Sequence, residues 1–169
     1  MVKSLQDMVE IYQLHNLFII HLDHTICYLV NMKNIFFIII ISIILIQFIQ
    51  VDKINPTTNI KYEIKAPENI ISVFKRSCYD CHSNNTTWTW YSNIAPLSWT
   101  IAKHVKDGRQ SLNFSIWNTY TKKQQDYKIK EIFRSVYAAM PPSSYVYFHK
   151  KAFLSSKDKK LIRDWTGVM

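Results

Sequence analysis

The sequence predicts an all-α domain, and three observations carry that prediction. Apolar residues recur at helical spacing in several windows. Capping boxes stand in front of two of those windows. No stretch carries a clear strand pattern. The chain has 169 residues, enough for one modest domain plus an extension. It contains only two glycines, which argues against a glycine-rich phosphate loop or a dinucleotide-binding fingerprint. No internal repeat is visible.

Residues 1–31 read as an extension with mixed polar and apolar character, poorly packed or locally helical. It carries His15, His21, His24 and Cys27, at spacings that match no metal site. Met32-Lys33-Asn34 followed by an apolar run has the look of an N-terminus, so the upstream stretch reads as a misassigned start. Residues 32–51 read as a membrane element. Ile35 to Ile49 is apolar on every face except at Ser42 and Gln47, which a buried amphipathic element would not be. Its length sits at the short end for a spanning helix and also suits a signal-peptide core. No small-residue cleavage site comes after it, so the expectation is an uncleaved signal anchor touching the membrane through residues 35–51. Lys33 on the short flank favours a cytoplasmic N-terminal side. Residues 52–66, with the turn-rich Asn55-Pro56-Thr57-Thr58-Asn59, read as a linker.

Residues 67–169 hold the domain. Pro67 and Glu68 mark a helix start, and Ile71, Phe74 and Cys78 share one face of that helix. Pro96 opens a second helix over about 97–110, with Leu97, Ile101, His104 and Val105 expected inward. Thr121-x-x-Gln124 is a capping box before a helix over about 122–139 with an Ile129, Ile132, Phe133, Val136 stripe. Ser155-x-x-Asp158 is a second box before a terminal helix that turns Leu161, Ile162 and Trp165 to a core. The stretch Ser83 to Thr87 reads as a turn, and Asn113 to Trp117 as a loop with packed aromatics.

Chemistry concentrates in Cys78-Tyr79-Asp80-Cys81-His82. Cys-x-x-Cys-His is the signature of c-type haem attachment. Positions three and four apart share one side of a helical turn, so both thiols and the imidazole converge. Each thiol S–H adds across one vinyl group, giving a thioether with no oxidant needed, and His82 reaches the iron from the proximal side. Two other readings remain. A thiol–disulfide motif wants a βαβ context, whereas the residues downstream read as helical. A zinc site needs two more ligands, and Cys27, His104 and His149 stand at no recognised spacing. An apolar export segment ahead of the motif agrees with haem attachment, because that covalent step takes place outside the bacterial cytoplasmic membrane.

The run CYDCHSNNT, the later WYSNIAP and SW, the HV, GR and LNFS groups with Trp117, and Met140-Pro141-Pro142 with Tyr145 resemble the bacterial haem-binding domain family. The resemblance covers about residues 67–166. It implies a cytochrome c-like helical domain around one haem c, anchored to the cytoplasmic membrane by a single pass and facing the periplasm. Met140, held by two prolines after the third helix, is the candidate sixth iron ligand, and His104 is the runner-up. Arg109 is a candidate partner for a haem propionate, a solvated surface arginine being the other reading.

The expected function is electron transfer rather than catalysis, with an unspecified redox partner. The competing class is a haem-based sensor or small peroxidase with an open or displaceable sixth position, but no distal acid–base residue announces itself. Removing Lys3 and Lys33 from the 21 basic residues, and Asp7, Glu10 and Asp23 from the 12 acidic ones, leaves 19 against 9 after Val51. For an exported domain that excess fits an acidic protein partner or anionic head groups, not nucleic acid.

Overall fold

A computed structural model describes residues 5–168. It is helical throughout, with no strand among the described residues: α1 (Leu5–Ile46), α2 (Glu68–Ser77), α3 (Tyr79–His82), α4 (Leu97–Ser111), α5 (Lys122–Ala138), α6 (Ser143–Phe148) and α7 (Ser156–Thr166). Short 3-10 turns cover Trp90–Asn93, Phe114–Thr119 and Lys150–Ala152. The chain divides into two compact units, Met1–Ile49 and Gln50–Met169.

The first unit is α1. It runs without a break from the N-terminal extension into the apolar run, so the two expected segments form one helix. The side chains of His24 and Cys27 lie outside the described residues. Ile35 to Leu45 present large exposed apolar side chains, at 47–62% for Ile35 to Ile38. Among the described residues no helix is long and apolar enough to cross a membrane. Within α1 the apolar run from Ile35 to Ile46, interrupted only by Ser42, covers about 18 Å at 1.5 Å per residue. Gln47, Phe48 and Ile49 leave the helix through i→i+3 hydrogen bonds to Ile44, Leu45 and Ile46.

In the second unit the core gathers Ile64, Ile70, Val73, Phe74, Tyr79, Phe114, Trp117, Ile132, Val136, Leu154 and Ile162. Phe114 is its centre. Its ring stacks on Phe74 at 4.8 Å and on Tyr79 at 5.3 Å, both within 18° of parallel, and Trp165 meets Phe74 edge-on at 5.4 Å. Offset aromatic pairs of this kind add about 0.5–1.5 kcal/mol each beyond burial. Tyr79 belongs to the Cys-x-x-Cys-His turn, so the core holds that turn directly.

Helix α2 starts one residue later than expected, with Pro67 as its N-cap. Its buried stripe is Ile70, Val73, Phe74 and Ser77, with Ile71 only partly covered. Helix α4 buries Ser98, Val105 and Gly108, while Leu97 and His104 stay exposed. Val105 is thus inward as expected and Ile101 half-buried, whereas the inward face is completed by Ser98 and Gly108, which hydrophobic periodicity does not register. Both capping boxes form, Thr121 with Gln124 and Ser155 with Asp158.

The stretch read as a linker is a strap. It has no regular structure, yet Ile64 is buried and donates its N–H to Phe114 O at 2.9 Å. Asn118 N–H binds Tyr62 O at 2.9 Å, and the Asn118 amide nitrogen binds the carbonyls of Lys61 and Glu63 at 3.0 Å each. Backbone groups with no ladder or helix must find partners elsewhere, and here the Phe114–Thr119 turn supplies them.

The α7 cap also ties that helix to α2. Asp158 accepts the Ser155 N–H at 2.9 Å and pairs with Arg76 at 3.0 Å. Burial pushes the Asp158 carboxyl up, but the Ser155 bonds and the Arg76 guanidinium outweigh it and hold it below 3.8. A depressed folded-state value means this contribution is complete above the ordinary carboxylate range and fades as pH falls through the lowered value. Asp158→Asn is expected to cost about 1 kcal/mol at neutral pH, the scale of one hydrogen bond with a partly solvated ion pair. In denaturant titrations across the acid range the variant and the wild type should converge as pH drops. A constant gap would show that the carboxylate's charge is not what stabilises the cap.

Candidate functional site

The Cys-x-x-Cys-His turn begins where α2 stops. Cys78 leaves helical geometry at φ −129° and ψ −32°, and α3 restarts at Tyr79. The Cys78 carbonyl accepts N–H bonds from Cys81 at 3.2 Å and His82 at 2.9 Å, closing one helical turn over the three residues. Both cysteines are free thiols.

His82 is oriented by the end of α4. Its Nδ1 lies 3.0 Å from Gly108 O and 3.1 Å from Leu112 O. Carbonyls only accept, so Nδ1 carries the proton and Nε2 keeps its lone pair. Leu112 is the C-cap of α4, its N–H bonded to Gly108 O at 2.8 Å, and both carbonyls lie at the negative end of the helix dipole. They fix the ring's tautomer in the way that makes a ligating imidazole more basic. Burial lowers the His82 pKa from 6.5, and the two backbone bonds oppose it. The ring also meets Phe114 edge-on at 6.5 Å.

Gly108 makes this approach possible. A Cβ built there would stand 2.5 Å from Cys81 O and 3.1 Å from Cys81 Cβ. The α4 backbone therefore rests on the α3 backbone with no side chain between them, and only glycine fits. A lone glycine inside a helical pattern is a recognisable signal of close packing, although it says nothing about which partner.

Arg109, the next residue, is spent on the protein. Nε donates to Ser83 O at 2.8 Å, one terminal nitrogen to Ile54 O at 2.7 Å, and the other to Asn55 Oδ1 at 2.8 Å and Thr86 Oγ1 at 2.9 Å. Four of its five N–H donors thus clamp the strap to the loop after His82. These bonds are not those of a solvated surface arginine.

The Ser83–Thr87 stretch is a loop that bends at Ser83 and Asn84, with three of its five residues buried. Ser83, Asn84 and Thr86 are all under 7% exposed. Ser83 Oγ donates to Tyr79 O at 2.8 Å, Asn84 N–H to Ser115 Oγ at 3.0 Å, and the Asn113 amide to Asn84 Oδ1 at 2.7 Å. The adjacent Trp88 has a buried indole N–H with no hydrogen-bond partner. It is a donor of the kind a carboxylate takes up.

His104 lies on the exposed side of α4, one turn before Gly108. Met140 lies in the connection between α5 and α6, 40% exposed, its N–H bonded to Ser135 O at 2.8 Å. A hydrogen bond from Tyr145 in α6 to Asp80 joins that segment to the cysteine turn.

The donor set bears on which chemistry the turn suits. Burial, with a contribution from Cys81, pushes the Cys78 thiol up to about 12, and burial with Asp80 pushes Cys81 up to about 11. Redox-active Cys-x-x-Cys pairs have the opposite shift, because the thiolate is the nucleophile. Among the described residues no three or more His, Cys, Asp or Glu side chains gather around a point where a metal ion alone would sit. Two protonated thiols and an imidazole with a free Nε2 on one turn suit a haem held by its periphery and its iron.

Gly108→Ala is a direct test of the α3–α4 contact. In an open helix this change stabilises by about 1 kcal/mol. Here the overlap with Cys81 predicts a net loss of about 1–3 kcal/mol in denaturant unfolding. A neutral or stabilising result would mean the two helices do not touch in this way.

A family model described as the haem-binding domain matches residues 41–167. No curated protein and no solved structure matches the chain. The match takes in the whole helical unit from strap to α7 and begins inside the apolar run of α1. The chain belongs to the haem-binding domain family.

Proposed function

We propose that this chain holds one haem c and passes single electrons at the outer face of the bacterial cytoplasmic membrane. One observation carries the reading. A single turn offers two free thiols and an imidazole whose Nδ1–H is committed to Gly108 and Leu112, leaving Nε2 for a metal. When bound, the group supplies a one-electron couple at its iron.

The protein's part is to hold and orient. Cys78 and Cys81 would hold the haem through thioethers. His82, its ring fixed by the α4 carbonyls and Phe114, would ligate the iron, and Met140 would be the other iron ligand, with His104 as the alternative. The Trp88 indole N–H is a donor for a propionate, in place of Arg109, whose bonds already serve the strap. Met140 ligation would favour a carrier over a sensor or peroxidase, because it would leave no open iron position for a substrate.

The apolar run of α1 anchors the domain. Its exposed side chains have no use in water, and Lys33 ahead of it can reach the head groups by snorkelling. A run short of the bilayer thickness is accommodated by local thinning. The basic excess of the helical unit faces an acidic redox partner or the anionic membrane surface.

Two outcomes are expected. The protein should sediment with membranes and resist extraction by alkaline carbonate, and recovery in the soluble fraction would rule out the anchor. The oxidised protein should show the weak near-infrared sulfur-to-iron band of a His/Met haem. Met140→Ala should abolish that band, lower the potential and admit carbon monoxide, since thioether ligation favours ferrous iron. A wild type that lacks the band and binds carbon monoxide freely favours the sensor or enzyme class. Loss of the low-spin spectrum in His104→Ala alone transfers the sixth position to His104.

A further inference from the structure

Asp80 stands between the two haem-attachment cysteines, and its carboxylate is fully engaged. Oδ1 accepts the Thr87 N–H at 3.0 Å, and Oδ2 accepts the Tyr145 hydroxyl at 2.5 Å. Tyr145 belongs to α6, far along the chain. A hydroxyl donated to a carboxylate is a charge-assisted bond, roughly twice as strong as a neutral one.

The connection continues beyond Tyr145. Its ring stacks on His149, with centroids 4.2 Å apart and planes 20° from parallel. His149 Nδ1 lies 3.1 Å from Tyr145 O, and Nε2 lies 3.0 Å from the Tyr91 hydroxyl. Facing a carbonyl, Nδ1 must carry the proton, so Nε2 accepts from Tyr91. The directions are then consistent: Tyr91 donates to His149, His149 to the Tyr145 backbone, and the Tyr145 side chain to Asp80. Helix α6 is fastened at two points, to the cysteine turn and to the 3-10 turn that precedes α4.

Met140 opens the same segment. Its N–H is held at the end of α5 by Ser135 O, and Val146 N–H binds Pro142 O at 3.0 Å, closing the first turn of α6. Pro141 and Pro142 restrict the backbone between those anchors. The Met140 side chain is 40% exposed. The placement of its segment, rather than packing around the side chain, therefore decides where the sulfur lies.

We propose that the Asp80–Tyr145–His149–Tyr91 chain is a latch that sets Met140 against the cysteine turn, which makes Asp80 and Tyr145 positioning residues for the sixth ligand. This rests on the reading that Met140 ligates the iron. A latch of this kind acts on ligation. An ordinary structural bond would act on stability alone.

The test uses the haem-loaded full chain in detergent, comparing wild type with Tyr145→Phe, Asp80→Asn and Met140→Ala. Tyr147→Phe serves as control, since Tyr147 is on the same helix but 69% exposed. Tyr145→Phe is expected to keep its covalent haem while weakening the near-infrared sulfur band. It should also speed carbon monoxide binding to the ferrous protein about tenfold, the scale set by one lost hydrogen bond to a charged group. Asp80→Asn should act in the same direction, and the double variant should do little more, because both changes break one bond. Tyr147→Phe should match wild type. The latch is overturned if Tyr145→Phe keeps the wild-type band and rate while Met140→Ala loses the band. If Met140→Ala leaves the spectrum unchanged, the ligand reading fails instead, and the two failures are told apart by that variant alone. Should Tyr145→Phe not accumulate, Tyr91→Phe at the far end of the chain must show a smaller shift in the same direction, and a wild-type result there sinks the latch.

Discussion

Everything at this site depends on the bare contact between Gly108 and Cys81. With no Cβ in the way, the last turns of α4 lie against α3 closely enough that two helix-end carbonyls reach His82 Nδ1. One contact therefore does two jobs. It packs the helix on the cysteine turn, and it aims the imidazole. A larger residue would separate the backbones and leave His82 without the acceptors that choose its tautomer. The neighbouring Arg109 then secures the outer side of the same crossing by joining the strap to the loop after His82.

The inner side is secured by stacking. Phe114 lies between Phe74 of α2 and Tyr79 of α3 and touches the His82 ring edge-on. Its carbonyl also receives the strap at Ile64. The cysteine turn is thus gripped by core aromatics on one side and by backbone and guanidinium bonds on the other. Such support is what holds a ligand's geometry. The covalent bonds in the proposed function relieve the fold of enclosing the haem. The fold's remaining task is to keep three side chains of one turn in register.

Much of this was legible in the residues. Capping boxes at Thr121 and Ser155 marked two helix starts within a residue, because each rests on a local pairing of side chain and backbone. The cysteine turn was legible for the same reason. What escaped was long-range. The strap looked like a linker because its partners, Arg109, Phe114 and Asn118, are about fifty residues away and leave no local pattern. The inward face of α4 was legible at Val105 but not at Ser98 and Gly108, because small residues carry no apolar signal. Helix α6 and the Asp80–Tyr145 bond were missed because one short turn carries too few residues to show a period. The apolar run of α1 was plain as composition, but where the helix ends inside it was not.

The central claim is that Cys78 and Cys81 bind haem covalently on the turn that His82 completes. Intact mass spectrometry of the denatured protein, produced in a host that matures c-type cytochromes, tests it most directly. The expected result is a chain heavier by one whole haem, with the added mass lost in the Cys78→Ala/Cys81→Ala double variant. A denatured chain at its bare mass, from a preparation whose native form carries haem, would contradict it.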